Sequence, residues 1–258
     1  MYEKLAGYYD LIHKSLTMDL NLILRLAALK GGPILELGSG TGRLLVPLAR
    51  AGYLVTGVDN APAMLRRARQ RLDRESSAVQ ERVTLIEADI RRLSLLGEYN
   101  PHALILVPYN TLLHFQPGEI GQVFRGARRH IDNDGHLYLD MASPYAIEGA
   151  VYDVKPSLEN SIVDPDSGET IHQLSHSRLE LAKQCLHTTW IFETVTGTEQ
   201  SPTRSTVDID YWYQYPHQLE LLLRQNGFKL GQMMGDYDGS PFDENSDRLL
   251  IIARPILQ

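Results

Sequence analysis

The sequence contains a single cysteine, Cys185, in 258 residues. That excludes an intrachain disulfide framework and any zinc site built on several thiolates, and no metal is expected from the sequence. A lone thiol fits a reducing compartment, so the cytoplasm is the expected location. Long hydrophobic runs are missing as well. No apolar stretch approaches the ~20 residues that a membrane-crossing helix needs, and the opening MYEKLAGYYDLIHK lacks the apolar core of a signal peptide. No membrane association is expected. Positive charge is in deficit, with 25 Lys and Arg against 32 Asp and Glu and a net charge of −7. Neutralising many phosphates requires a clustered basic face, so this balance argues against a nucleic-acid partner. Arg66, Arg67, Arg69 and Arg71 lie among apolar residues at helical spacing and read as a solvated helix face. Internal repeats and low-complexity tracts are absent.

With 43% hydrophobic and 22% charged residues the chain has ample material for one main core with an elaboration. Residues 2 to 14 and 18 to 29 repeat apolar side chains every three or four positions, as in Leu22, Leu26 and Leu29, which predicts two amphipathic helices. From Pro33 the pattern changes to short apolar strands alternating with helices. Strands are expected at 34–37, 54–58, 83–87, 103–107 and 136–141, the last after an Asn133-Asp134-Gly135 turn, and helices at about 42–51, 62–74 and 119–130. This rhythm implies a doubly wound α/β fold with a parallel sheet. Residues 144–213 interrupt it: 170–179, 185–196 and 203–213 read as strands with no helix between them, a small antiparallel β insertion. A helix opened by Pro216 and stopped by Gly227, then a hairpin of 228–234 and 248–253 around the loop GDYDGSPFDENSD, complete the chain. The expected division is an N-terminal helical cap or lid at 1–30, a core at 31–143 and 214–258, and the insertion at 144–213 over the active site.

The most informative stretch is Ile34-Leu35-Glu36-Leu37-Gly38-Ser39-Gly40-Thr41-Gly42-Arg43. An apolar strand runs into a glycine loop that opens a helix, where backbone can approach a ligand and exposed N–H donors gather. Dinucleotide-binding proteins place G-x-G-x-x-G there, but here the spacing is G-x-G-x-G. Glu36 also discriminates. Its carboxylate would repel a pyrophosphate, whereas S-adenosylmethionine offers a sulfonium and an ammonium; a purely structural role in capping nearby backbone is the other reading. Asp59 ends the second strand, where a carboxylate can accept both hydroxyls of a ribose. Asp89, in Glu87-Ala88-Asp89-Ile90, either accepts from an adenine amine, with Ile90 and Met64 sandwiching the ring, or caps a helix.

The order LELGSGTGR, VTGVDNAPAML, IEADI, each at an expected strand end, resembles the class I S-adenosylmethionine-dependent methyltransferases. The resemblance covers residues 33–142 by motif and, more loosely, Tyr8-Tyr9-Asp10 and the closing hairpin. It implies a Rossmann-like seven-stranded sheet whose last strand is antiparallel, and S-adenosylmethionine as cofactor. By that resemblance Glu36, Gly38 and Gly40 line the methionine end, Asp59 the ribose, and Asp89 with Ile90 the adenine. The full binding set on this reading adds Tyr9, Ser39, Arg43, Asn60, Met64 and Val107. A nicotinamide-dependent oxidoreductase would share the loop and Asp59 but leaves Glu36 and Asp89 unexplained. A non-catalytic protein that keeps the cofactor pocket is the other alternative.

Methyl transfer to nitrogen or oxygen is an in-line displacement in which positioning and desolvation supply much of the rate, so a dedicated base is optional. After the fourth strand the chain reads Val107-Pro108-Tyr109-Asn110-Thr111-Leu112-Leu113-His114-Phe115. The N/D/S-P-P-Y/F motif of enzymes that methylate DNA or protein amines fails here, because Val107 cannot accept a hydrogen bond. His114, as a base or as a helix-packing residue, and Tyr109, as a substrate contact, are the catalytic candidates. Tyr8 and Tyr9 belong either to a lid or to core packing. The insertion and the tyrosine-bearing N-terminal segment also resemble small-molecule N-methyltransferases related to those of glycine and amino sugars, which implies a small-molecule acceptor. Arg178, Arg204 and His176 on the insertion could meet an acidic group but read as solvated charges. An exposed edge of the insertion leaves homodimerisation open.

Overall fold

The computed structural model describes residues 2–14, 16–95, 101–152, 155–165, 167–195 and 203–257. In chain order the elements are α1 (Tyr2–Ile12), α2 (Met18–Lys30), β1 (Ile34–Leu37), α3 (Leu45–Arg50), β2 (Val55–Asp59), α4 (Pro62–Leu72), α5 (Ser77–Gln80) and β3 (Val83–Glu87). A 3-10 segment, Ile90–Leu95, leads to β4 (His102–Val107), and a second, Thr111–His114, to α6 (Pro117–His130). Then come β5 (Ile131–Ala142), α7 (Pro144–Gly149), β6 (Ser157–Val163), β7 (Thr170–Glu180), β8 (Cys185–Val195), β9 (Thr203–Trp212), α8 (Pro216–Gln225), β10 (Phe228–Met234) and β11 (Arg248–Pro255).

The main sheet has the order β10-β11-β5-β4-β1-β2-β3, parallel except where β11 runs antiparallel to both β5 and β10. The order of the parallel strands reverses between β1 and β4, the switch point at which such sheets bind ligands beyond their carboxyl ends. All four residues of β1 are buried, because the sheet is covered on both faces. Leu35 and Leu37 join the core under α6 and α8, while Ile34 faces the core under α2 and α3. The helices read as their sequences dictate. In α6, Ile120, Val123, Phe124 and Ala127 repeat on one buried face. Its start is fixed by Pro117 and by Glu119, whose carboxylate accepts from the Gln116 amide at 3.0 Å.

The second sheet, β6-β7-β8-β9, is antiparallel throughout. Three of its strands match expectation, although Thr196, the expected end of β8, lies outside the described residues. β6 escaped the sequence because Glu159, Asn160 and Ser161 leave it almost wholly exposed, with no apolar alternation to recognise. Two further expectations are corrected. Asn133-Asp134-Gly135 is not a turn before β5 but lies inside it, at an irregularity in the pairing with β4 between His102 and Leu104. The helix expected from Gly42 begins at Leu45, because Gly42 adopts φ +77° and cannot continue a right-handed helix.

α1 spans the two sheets. Leu5 packs with Ile171 and Phe192 of the small sheet, and Ala6 with Ala61 and Met64 at the start of α4. The tyrosine segment is therefore held from both sides.

Candidate active site

Beyond β1 the chain turns through Gly38, Gly40 and Gly42, all left-handed, with φ of 77°, 54° and 77°. At Gly38 the need for glycine is steric as well, since a Cβ would stand 2.6 Å from Thr111 Cγ2. The short helix α3 starts after the loop, so the donors facing the site are loop amides and not a helix terminus. One of them, Gly40 N–H, donates to Asp59 Oδ2 at 2.8 Å, and Ala61 N–H donates to Asp59 Oδ1 at 2.8 Å. Asp59 thus ties the loop after β1 to the loop after β2. Burial raises its carboxyl above the usual range, against the opposing pull of these backbone donors.

A cleft of about 260 Å³ opens over this junction. Tyr9, Gly38, Gly40, Asp59, Asn60, Met64 and Ile90 line it, as does the candidate pair Tyr109 and His114. Glu36, Ser39 and Arg43 line a small recess that shares Tyr9, Gly38, Tyr109 and Thr111 with the cleft. Val107 is placed elsewhere: it is fully buried in the core beneath α6, and Tyr109 and Thr111 form the wall expected of it. Sequence reading missed Ala88, Arg91, Thr111 and Phe115, which also line the cleft.

Glu36 is the electrostatic anomaly of the site. Only 2% of it is exposed, and Oε2 finds no hydrogen-bond partner among the described residues. Burial pushes its carboxyl up to about 8, Arg43 pulls the other way, and Asp19 and Asp59 add to the rise. Arg43 cannot neutralise it fully, being committed to Asp19 through two hydrogen bonds of 2.8 and 2.5 Å and to the Leu16 carbonyl at 3.2 Å.

Asp89 does not line the cleft as expected. Its carboxylate caps the 3-10 segment by accepting from Arg91 N–H at 2.9 Å and grips the Arg91 guanidinium at 2.6 and 3.0 Å. The Arg91 side chain holds the Asp89 carboxyl below its usual range. Arg91 also pairs with Glu119 and lies 5.7 Å above the Phe115 ring, so the cleft wall here is a guanidinium framed by two carboxylates.

α1 closes over the glycine loop through Asp10. Its Oδ1 accepts from Thr41 Oγ1 at 2.6 Å and from Arg71 at 2.8 Å, and Arg67 donates to the Gly7 carbonyl at 3.0 Å. Arg67 and Arg71 are thus anchors for α1, while Arg66 and Arg69 are exposed as the solvated-face reading expects. Tyr8 stacks on Phe192 of β8 with centroids 4.5 Å apart, and Tyr9 meets His13 edge-on, which in turn meets Tyr109. A groove of about 820 Å³ outside α1 is wider than the cleft, but its Arg50, Arg67 and Arg71 are paired with Glu75 and Asp10.

Tyr109 and Asn110 have φ of 38° and 66°, a conformation costing non-glycine residues of the order of 1 kcal/mol or more each. Asp140, fully buried on β5, sustains it by accepting from Tyr109 N–H at 3.2 Å through its side chain and from Asn110 N–H at 2.8 Å through its carbonyl. Arg248 of β11 pairs with Asp140 and lies 5.1 Å above the Tyr109 ring. His114 faces Tyr211 of β9 at 5.4 Å, and burial lowers its pKa to about 4. It is therefore a neutral imidazole at neutral pH, able to accept a proton.

Residues 34–135 match the methyltransferase domain family. Over 251 residues the chain is 25% identical to the cypemycin N-terminal methyltransferase of Streptomyces sp, covering 95% of this chain and 93% of that protein. In fold it is similar to the CcbJ methyltransferase of Streptomyces caelestis, with a TM-score of 0.77, 22% identity, and coverage of 93% and 91% of the two chains. It is also similar to CalS10, an amino pentose methyltransferase of Micromonospora echinaspora solved with S-adenosylmethionine bound, at a TM-score of 0.68, 17% identity, and coverage of 92% and 89%.

Proposed function

We propose, from the premise that this chain is a class I S-adenosylmethionine-dependent methyltransferase, that its acceptor is a nitrogen or oxygen nucleophile of a small molecule. The observation that carries the site assignment is Glu36, a buried carboxyl with an unpartnered oxygen in a recess beside the glycine loop. A cationic amino-acid group fits there, whereas a phosphate does not. When bound, S-adenosylmethionine supplies a methyl group activated by its sulfonium.

The chain's own residues do the rest. Glu36 binds the ammonium in its ionised form, Asp59 keeps free acceptor capacity for ribose hydroxyls after its two backbone bonds, and Met64 and Ile90 hold the adenine between them. Tyr9, Ser39, Arg43 and Asn60 complete the cofactor set. The acceptor approaches from a cavity of about 510 Å³ that Tyr109 shares with the cleft and that Tyr237, Arg248 and the loop 235–247 enclose. Tyr109 orients it, and His114 takes the proton that an amine or hydroxyl gives up. Residues 1–30 act as a lid and 144–213 as a cover, a role supported by the Tyr8–Phe192 stack between them. Nitrogen acceptors are the first to screen, because two of the similar proteins are named for amine-bearing acceptors. A homodimer through the exposed edge strand β6 and residence in the cytoplasm belong to the same reading.

The test is calorimetric titration with S-adenosylmethionine, S-adenosylhomocysteine and NAD on wild type and on Asp59→Ala and Glu36→Gln, followed by an amine and hydroxyl panel scored by S-adenosylhomocysteine release. Binding of the first two ligands, weakened in both variants, with turnover on a small acceptor, is expected. Binding of NAD alone would overturn the site assignment, and turnover confined to protein or nucleic acid would overturn the acceptor class.

A further inference from the structure

Away from the cleft, at the end of the small sheet where β7 turns into β8, three side chains of different donor type converge. Cys185 Sγ, His187 Nδ1 and Asp210 Oδ1 all lie within 4.8 Å of one another. The strand pattern dictates this meeting. Cys185 and His187 are two apart on β8 and so share a face, and Asp210 of β9 is the direct cross-strand partner of His187. The neighbouring distances are 3.9 Å from Cys185 Sγ to His187 Nδ1 and 2.6 Å from His187 Nδ1 to Asp210 Oδ1.

The other nitrogen of the same imidazole is also engaged. His187 Nε2 stands 3.3 Å from Glu180 Oε2, and Glu180, the partner of Cys185 across β7 and β8, is itself held by Lys183 Nζ at 2.9 Å. A carboxylate on the far nitrogen is the usual companion of a metal-binding histidine, since it fixes the tautomer and leaves the near nitrogen's lone pair toward the metal.

We infer that Cys185, His187 and Asp210 form a binding site for a divalent transition-metal ion of zinc type, with Glu180 orienting His187 from outside the coordination shell. Thiolate, imidazole and carboxylate together are the donor set of zinc and its borderline neighbours, not of magnesium or calcium. Ligands at about 2.0 to 2.3 Å in a tetrahedron stand roughly 3.3 to 3.7 Å apart. Cys185 and His187 are already close to that separation, and Asp210 has to swing outward by less than about 1 Å. The Asp210 side chain is 53% exposed, which gives an ion its entry path and a water its place as fourth ligand. Cys185 is buried. Binding forms bonds from the metal to the Cys185 sulfur, the His187 nitrogen and an Asp210 oxygen, and the thiol proton leaves to solvent as the thiolate forms.

The site lies away from the methyl-transfer chemistry, so its role is to pin β8 to β9 in the sheet that presents Tyr211 to His114 and Phe192 to Tyr8.

The experiment uses the full chain stripped with a chelator, titrated with zinc by calorimetry and with cobalt(II) by absorption. One equivalent should bind, with a thiolate-to-cobalt charge-transfer band in the near ultraviolet. Cys185→Ser should abolish the band and Asp210→Asn should weaken binding, while Glu180→Gln should weaken it by about 10- to 100-fold. Circular dichroism and S-adenosylmethionine binding serve as the controls for folding; if Cys185→Ser misfolds, the exposed Asp210→Asn variant carries the test. No saturable binding at one equivalent, no thiolate band, or wild-type affinity in folded Cys185→Ser or Asp210→Asn would overturn the assignment.

Discussion

Asp19, on α2 and wholly buried, accepts two hydrogen bonds from Arg43, which follows the glycine loop. The pair joins the N-terminal helices to the loop, and it holds the nearest cation to Glu36 in place. Asp19→Asn leaves the guanidinium without its counter-charge. Removing one partner of a buried pair costs about 3 to 5 kcal/mol, so a marked drop in the denaturant midpoint is expected. Replacing both residues with apolar ones of similar size should recover much of it; equal stability of Asp19→Asn and wild type would show that the pair contributes little.

The affinity for S-adenosylmethionine should depend on pH through Glu36. Its carboxyl is raised to about 8, so below that pH it holds a proton that must leave before it can pair with an ammonium. Affinity should therefore fall as pH is lowered from 8 toward 6, with proton release detected by calorimetry in buffers of different ionisation enthalpy. Glu36→Gln should bind more weakly and lose this dependence. The stability of the free protein follows the opposite sign: a raised folded-state pKa contributes stability that is complete below about 4.5 and lost as pH climbs through about 8.

His114→Asn should lower kcat by about 100-fold or more if the imidazole takes the acceptor's proton, in the range usual for general bases. Cofactor affinity, measured separately, should hardly change. Because burial lowers the His114 pKa to about 4, its loss of function by protonation is expected only well below pH 6. A variant with unchanged kcat would reassign His114 to packing against Tyr211.

Gly38→Ala meets two obstacles, the left-handed φ of 77° and the Thr111 side chain at 2.6 Å. A loss of at least about 1 kcal/mol is expected from the backbone alone, together with weakened S-adenosylmethionine binding. Adding Thr111→Ala should relieve the steric part and leave the conformational part, which comparative thermal melts of the two variants would resolve.

The local signals in the sequence located the strands of the main sheet and the glycine loop between β1 and α3. β1 and β3 fall where their apolar runs place them, and Gly38, Gly40 and Asp59 meet because each ends or follows a strand whose neighbour in the sheet is dictated by the alternating rhythm. What escaped depends on distant partners. Nothing near Arg43 announces that Asp19 will claim it, and Arg91 enters the cleft because Asp89 and Glu119 hold it there from different elements. Val107 carries the opposite lesson. Position at the end of a strand suggested a cofactor contact, but an apolar side chain at that register turns into the core. The strained Tyr109-Asn110 backbone is likewise sustained by Asp140 and Arg248, over 30 and over 130 positions further along, which no short window of sequence contains.

β11 lies between β5 and β10, yet it is synthesised after all the other strands of the described residues. While the nascent chain grows, β5 has no neighbour on that flank, and its open hydrogen-bonding edge and the apolar surface beside it wait for a segment still to be translated. The Asp140–Arg248 pair forms only at that moment, and with it the support for Tyr109. A ribosome-stalled chain ending before Arg248 should therefore be a client for chaperones, and the arrival of one inner strand would at once complete the sheet and set the cleft wall that carries Tyr109.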